Sequence, residues 1–281
     1  MKLSEFSPYL KEELSPLFSE REASNLISIL FDYYLGLSRT SQLLAQDRIL
    51  SESEITLLQN ALGDLKKHKP IDYVINQSIF FGYEFFVDDR VLIPRSETEE
   101  LVQWILENET DPMCEILDIG SGSGCIPITL DLEGDYKRVD ACEVSEAANE
   151  VARINAKNLH SNVTFEKLDI LSQVPSKKYD IVVSNPPYVK KEELHTLDKN
   201  VVDYEPGIAL APEGNDPLLF YKRMIVIAPQ MLKKDGRLYW EIHEDLGKEV
   251  LELLENASFN DVELKQDLYG RDRLVRAKVK G

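Results

Sequence analysis

The chain has 281 residues, 43% of them apolar, enough to bury the core of one large globular domain or two smaller ones. No apolar run reaches membrane-spanning length, and the composition carries no disordered or fibrous bias. The net charge of -18 is uneven: residues 1–77 hold 8 Lys and Arg against 11 Asp and Glu, and the remaining residues hold 24 against 39. Nucleic-acid affinity comes largely from Lys and Arg displacing counterions, so this balance argues against direct nucleic-acid binding and favours protein or small-molecule partners.

Cys114, Cys125 and Cys142 match no zinc spacing, and an odd number of cysteines in apolar segments fits buried free thiols. His68, His160, His195 and His243 are scattered with no nucleophile motif beside them, so no metal site is expected. Residues 1–8 lack the basic flank and apolar stretch of a secretory signal, and a cytoplasmic location is expected.

Residues 1–76 read as short helices forming a small bundle. Ser19-Glu20-Arg21-Glu22 is a capping-box pattern, followed by Ala23, Leu26, Ile27, Leu30 and Tyr34 at helical spacing and by Gly36 as a C-cap. Ser51-x-x-Glu54 opens another helix with Ile55, Leu58, Leu62 and Leu65 on one stripe. Next, Ile79 through Val87, the pair Asp88-Asp89, and Arg90 through Ile93 read as a β-hairpin with an acidic turn, ended by Pro94. Residues 77–94 are expected to bridge two domains. Ser96-Glu97-Thr98-Glu99 starts a helix with Leu101, Val102, Ile105 and Leu106 facing inward.

From residue 114 onward, strand patterns at 115–119, 138–143, 162–166, 179–184 and 237–242 alternate with helical patterns that include 145–158, 216–233 and 246–256. Two further strands, near 261–266 and 273–279, are joined through Tyr269-Gly270. The alternation predicts an α/β domain over 95–281, with a mostly parallel sheet covered by helices on both faces.

Ligands of such sheets bind beyond the carboxyl ends of the strands. After the first strand comes Asp118-Ile119-Gly120-Ser121-Gly122-Ser123-Gly124, a turn where absent Cβ atoms allow close backbone approach to a ligand. A dinucleotide fingerprint needs G-x-G-x-x-G, whereas position 125 is cysteine, which disfavours NAD or FAD. Glu143, at the end of the second strand, is placed to accept ribose hydroxyls. Asp140 is its rival but falls mid-strand. Asp169 could accept from an adenine amino group with Ile170 packed on the ring, or it could simply cap a turn.

The fourth strand, 179–184, runs into Asn185-Pro186-Pro187-Tyr188. That segment suits a planar NH₂ group, a poor nucleophile because its lone pair is delocalised. The Asn185 side-chain oxygen can accept one N–H, the Pro186 carbonyl the other, and Tyr188 can stack on the flat group. Together, the glycine turn and this clamp suggest methyl transfer from S-adenosylmethionine to an amide or amino nitrogen. A rigid turn with no ligand is the bland alternative for either motif.

At these residues the chain resembles the PrmC/HemK family of peptide-release-factor glutamine methyltransferases. Arg90-Val91-Leu92-Ile93-Pro94-Arg95-Ser96-Glu97-Thr98-Glu99, Tyr204-Glu205-Pro206 and Asp267-Leu268-Tyr269-Gly270-Arg271-Asp272-Arg273 extend the likeness along most of the sequence. The resemblance implies a class I S-adenosylmethionine-dependent methyltransferase, Rossmann-like with a seven-stranded sheet, and an N-terminal domain that helps dock a class 1 release factor. The implied reaction is methylation of the glutamine amide in the Gly-Gly-Gln motif. The implied cofactor contacts are Gly120, Ser121, Gly122, Ser123, Gly124, Glu143, Asp169, Ile170 and Asn185, with Asn185, Pro186, Pro187 and Tyr188 on the glutamine.

Three positions depart from the family pattern. Ser96 stands where proline is usual and is expected to cap the helix, Glu143 stands where aspartate is common, and Ile170 where some members have an aromatic. A glutamine methyltransferase of a ribosomal protein would share the four-residue clamp, as would an adenine-amino nucleic-acid methyltransferase. A non-catalytic cofactor-binding protein would have no need of it.

Overall fold

The computed structural model describes residues 1–257 and 259–280, so Gly281, the last residue of the expected second domain, lies outside them. The chain divides into two compact units, Met1–Asn76 with Asp198–Tyr204, and Gln77–Leu197 with Glu205–Gly281.

The first unit packs α1 (Leu3–Leu14), α2 (Glu20–Leu35), α3 (Arg39–Leu44), α4 (Glu52–Leu65) and α5 (Ile71–Ile75). Its core is drawn from apolar positions three and four apart, among them Phe6, Leu10 and Leu14 of α1, Ala23, Leu26, Ile27 and Leu30 of α2, and Leu58, Leu62 and Leu65 of α4. Each such buried leucine contributes about 1.5–3 kcal/mol. At Ser51 both halves of the capping box form, whereas at Ser19 only the serine half does, the hydroxyl accepting from the Glu22 N–H. Gly36 ends α2 in the left-handed region, at φ 63°. Residues 198–204 return to this unit, where the Tyr204 hydroxyl donates to the Lys67 carbonyl at 2.9 Å.

The second unit begins with β1 (Ser78–Phe80) and β2 (Tyr83–Phe85), an antiparallel hairpin shorter than the sequence suggested. Its turn is Phe81-Gly82, not Asp88-Asp89. Both turn residues have positive φ (53° and 82°), as the type I′ form of a two-residue hairpin turn requires. Asp88 is instead held by the Arg90 backbone N–H and guanidinium, and Val87, Val91 and Ile93 are buried outside the named strands. Next comes α6 (Ser96–Asn108), whose N-cap is Arg95. Ser96 is the first helical residue and spends its hydroxyl on Glu97, so the expected serine cap does not form.

The remaining elements are β3 (Glu115–Ile119), α7 (Cys125–Glu133), β4 (Arg138–Glu143), α8 (Glu146–Asn158), β5 (Thr164–Lys167), β6 (Tyr179–Ser184), α9 (Lys199–Tyr204), α10 (Gly207–Leu210), α11 (Leu219–Met231), β7 (Leu232–Glu241), α12 (Gly247–Glu255), β8 (Phe259–Gln266) and β9 (Asp272–Val279). Four predicted strands shift at their ends. The clearest case is β7, which starts at Leu232 rather than 237 because its first residues continue directly from α11.

The sheet order is β5-β4-β3-β6-β7-β9-β8, parallel except where β9 pairs antiparallel with β7 and β8. Successive strand residues feed opposite faces. Ile116, Ile181, Val183 and Tyr239 pack on the side of α6 and α7, and Leu117, Val182, Leu238 and Trp240 on the side of α11 and α12. The three cysteines are buried free thiols, and burial pushes Cys125 up to about 12. Among the described residues, no helix is long and apolar enough to cross a membrane.

Candidate active site

In the strand register, Ile119 of β3 lies between Cys142 of β4 and Ser184 of β6. The residues that follow, Gly120, Glu143 and Asn185, therefore emerge side by side at the carboxyl edge of the sheet. This is where the strand order reverses from β3–β4 on one side to β3–β6 on the other, the usual place for a ligand crevice. A cleft of about 240 Å³ sits there. Gly120, Gly122 and Glu143 form one wall, Leu168, Asp169 and Ile170 a second, and Asn185, Pro186 and Pro187 border it.

The glycine turn splits into two jobs. Gly120 and Gly122 have φ of 78° and 52°, and a Cβ on either would meet nothing within 4 Å, so open space lies before them. Gly124 (φ 82°) does not line the cleft. A Cβ there would sit 2.9 Å from Ile128 Cδ1 and 3.2 Å from the Ala152 Cβ, so this glycine lets α7 and α8 pack. The Ser121 and Ser123 side chains are buried away from the cleft, and the Ser123 carbonyl accepts from Asn155 at 2.9 Å. Of the five expected turn contacts, two face the cleft.

Glu143 is fixed by its own neighbours, accepting from the Gly122 N–H at 3.1 Å and the Ser145 N–H at 2.9 Å. Asp140 turns elsewhere, to Arg138 and the Tyr179 hydroxyl. Asp169 both caps its own turn, through the Leu171 N–H and the Ser172 hydroxyl, and borders the cleft beside the buried Ile170.

The Asn-Pro-Pro-Tyr segment is tied to a buried polar chain. Asn185 Nδ2 donates to Thr98 Oγ1 at 3.1 Å, and Thr98 Oγ1 donates to Glu241 Oε2 at 2.6 Å. The Tyr188 hydroxyl donates to Glu241 Oε1 at 2.8 Å. Tyr188 does not line the cleft. Its ring meets His243 edge-on at 5.9 Å, and its hydroxyl is engaged with Glu241. Burial raises the Glu241 carboxyl above its ordinary range, opposed by the bonds from Thr98 and Tyr188 and by the charge of Arg273. Burial, then the Glu241 charge, raises the Tyr188 phenol.

Several residues escaped the sequence reading. Thr98 lay in view as part of a helix start, but its partner Glu241 is 143 positions away and nothing local marks the pair. Glu205 accepts from Arg95 and from the Ile93 N–H, joining two quoted segments whose meeting only the fold reveals. Arg90, Val91 and Leu92 from one of them, Pro206 from the other, and Ile208 and Ala209 just after it line the cleft. Asp118 is wholly buried below the glycine turn, with no well-formed hydrogen bond to either carboxylate oxygen. Burial, reinforced by the nearby Glu143 charge, raises its carboxyl well above 3.8, and the Ile119 N–H offsets only part of this.

Comparison with known proteins fits this layout. Residues 10–75 match the PrmC N-terminal domain model and residues 97–208 the methyltransferase small domain model. The chain is 38% identical to the release factor glutamine methyltransferase of Flavobacterium psychrophilum over all of both chains. It is 36% identical to that of Bacteroides thetaiotaomicron over 98% of this chain and 99% of the other. In fold it is similar to a methyltransferase from Pyrococcus furiosus (TM-score 0.54, 19% identity, 79% of this chain and 99% of that one). It is also similar to the hMettl16 catalytic domain (TM-score 0.56, 16% identity, 82% of each).

Proposed function

The chain belongs to the release factor glutamine methyltransferases, and from that premise we propose which of its residues carry the reaction and what each one does. It is an S-adenosylmethionine-dependent enzyme that methylates a release-factor glutamine. The cofactor, when bound, supplies an activated methyl group on a sulfonium centre.

The residues around the cleft fit that cofactor. Open space in front of Gly120 and Gly122 admits a ligand against bare backbone. Glu143, held by two N–H groups, keeps lone pairs for the paired ribose hydroxyls. Leu168 and Ile170 offer an apolar wall for adenine, and Asp169 keeps acceptor capacity for its amino group beyond the two bonds it makes to its own turn.

Asn185 Oδ1 accepts one N–H of the glutamine amide and the Pro186 carbonyl accepts the other. Pro186 and Pro187 fix their φ angles and hold that carbonyl in place. With both hydrogens pinned, the nitrogen lone pair is turned into the cleft and pyramidal geometry at nitrogen is favoured. The rate gain is then mainly one of orientation, and no strong base is needed because the proton leaves once the nitrogen is cationic. Tyr188 supports this clamp through Glu241 rather than by stacking.

The single observation that carries this reading is the Asn185 amide: its nitrogen donates to Thr98, its oxygen has no hydrogen-bond partner among the described residues, and the residue lines the cleft. We assign the acceptor to the Gly-Gly-Gln motif of class 1 release factors. The helical unit at residues 1–76 serves docking, and residues 95–281 serve catalysis. Incubation with labelled cofactor and purified release factor, followed by peptide mass mapping, tests this. One added methyl on the Gly-Gly-Gln peptide is expected, and label found only on ribosomal protein or nucleic acid would overturn it.

A further inference from the structure

We propose that Thr98 and Glu241 are positioning residues that fix which way round the Asn185 amide sits, an inference that rests on the glutamine methyltransferase reading above. An asparagine amide has an accepting end and a donating end of nearly the same shape. Only one orientation is useful here. Oxygen toward the cleft accepts an N–H of the substrate amide, whereas NH₂ toward the cleft sets donors against donors and expels it.

Nothing in Asn185 itself selects between the two. The selection comes from hydrogen count along the buried chain. Glu241 is 1% exposed and accepts two hydroxyl donors, Thr98 on Oε2 at 2.6 Å and Tyr188 on Oε1 at 2.8 Å. A threonine hydroxyl has one hydrogen, and here it is committed to Glu241. The Thr98 oxygen, 2% exposed, can then only accept, and the Asn185 nitrogen meets it at 3.1 Å. The flipped amide would set oxygen against oxygen at a buried site, a loss comparable to leaving a buried polar group unpaired. The acceptor character of Glu241 is thus passed through Thr98 to Asn185 and appears at the cleft as a carbonyl oxygen.

The elements suit the task. Thr98 lies in the first turn of α6 and Glu241 is the last residue of β7, so both ends of the chain rest on regular structure beside the loop that carries Asn185. Rigid support of this kind holds a contacting group to the tolerance a reaction needs.

The test compares wild type with Thr98→Val, Thr98→Ser and Glu241→Gln. The glutamine can both donate and accept, so the one-way hydrogen count is lost with little change of shape. Single-turnover methylation of release factor is measured with cofactor affinity and melting temperature. Thr98→Val and Glu241→Gln are expected to slow the single-turnover rate about 10- to 100-fold, with cofactor Kd within about threefold. Thr98→Ser keeps the hydroxyl and is expected to recover to within about fivefold of wild type. A Thr98→Val enzyme at wild-type rate, a Thr98→Ser enzyme as slow as Thr98→Val, or a change confined to melting temperature would overturn the proposal.

Side-chain amide resonances of Asn185 in the free enzyme give a second readout. The NH₂ should lie beside Thr98 in wild type and exchange between two orientations in Glu241→Gln, which keeps the test open should Thr98→Val not fold. A wild-type enzyme with a fixed amide but no activity on release factor would sink the substrate reading alone. A wild-type amide that flips freely would sink this proposal alone.

Discussion

The Arg95 guanidinium lies 2.6 Å from the Glu205 carboxylate, whose other oxygen accepts the Ile93 N–H at 3.2 Å. The Glu205 side chain is 1% exposed and that of Arg95 34%, so a buried carboxylate and a partly solvated guanidinium tie the segment containing Glu205 and Pro206 to the one ending at Arg95. Both segments border the cleft. Arg95→Ala would leave a buried carboxylate with one weak donor. It is expected to lower unfolding free energy by about 1.5–3 kcal/mol, toward the lower figure because arginine is partly solvated. Replacing both partners, as Arg95→Ala with Glu205→Leu, should be milder than Arg95→Ala alone, since no orphaned charge remains. Urea unfolding of the three proteins decides this, and an Arg95→Ala protein as stable as wild type would contradict it.

Asn185 is the residue placed against the reacting group, and its loss should separate chemistry from binding. Asn185→Ala removes the acceptor for the amide hydrogen, and turnover is expected to fall at least about 100-fold, the usual scale for losing one positioned polar group at a reacting centre. Cofactor affinity should stay within about tenfold, because at most one modest hydrogen bond is lost there. Single-turnover rates beside calorimetric Kd values check the split, and full activity in the variant would remove Asn185 from its assigned role.

Much of this was readable in advance. The strands that end at Ile119, Glu143 and Ser184 announced themselves by apolar runs followed by glycine, acid or Asn-Pro, because local sequence carries both the strand and its stop. The β1–β2 turn is not legible in the sequence because Asp88-Asp89 imitates a polar turn, while Phe81, an aromatic residue at φ 53°, does not advertise a left-handed conformation. The glycine turn shows a different limit. Periodicity identifies a sharp turn but cannot say which side faces ligand, and Ser121, Ser123 and Gly124 face the protein. The Thr98–Glu241 pair was invisible because its meaning lies in a contact between β7 and α6.

The acid at the foot of the glycine turn predicts a pH effect. The Asp118 carboxyl, raised above 3.8 by burial and by Glu143, holds its proton in the folded protein to a higher pH than in the unfolded chain. The folded state therefore binds more protons from about pH 3.8 upward, and the contribution of this group to stability is present below that pH and lost as pH rises through the folded value. Asp118→Asn cannot ionise and escapes the loss. In cofactor-free protein, the melting temperature of Asp118→Asn minus that of wild type should grow from pH 4 to pH 8. A difference that stays constant would mean the carboxyl is not perturbed in this way.

Two glycines of the same turn should fail differently when given a methyl group. Each has positive φ, so alanine carries backbone strain of about 1–2 kcal/mol at either position. At Gly124 the new Cβ would also press within 2.9 Å of Ile128 Cδ1 and 3.2 Å of the Ala152 Cβ, forcing α7 and α8 apart. Overpacking of that kind costs about 1–3 kcal/mol more, so Gly124→Ala should lose roughly 2–5 kcal/mol of stability in all. At Gly122 the Cβ meets no protein atom within 4 Å and projects into open space, in a residue that borders the cleft. Gly122→Ala should therefore keep most of its stability while cofactor Kd rises at least about tenfold, since ligand and methyl compete for the same volume. Denaturation midpoints and calorimetric titrations of the two variants give the comparison. If Gly124→Ala proved the stable protein with weakened binding and Gly122→Ala the unstable one, the division of labour within the turn would be reversed.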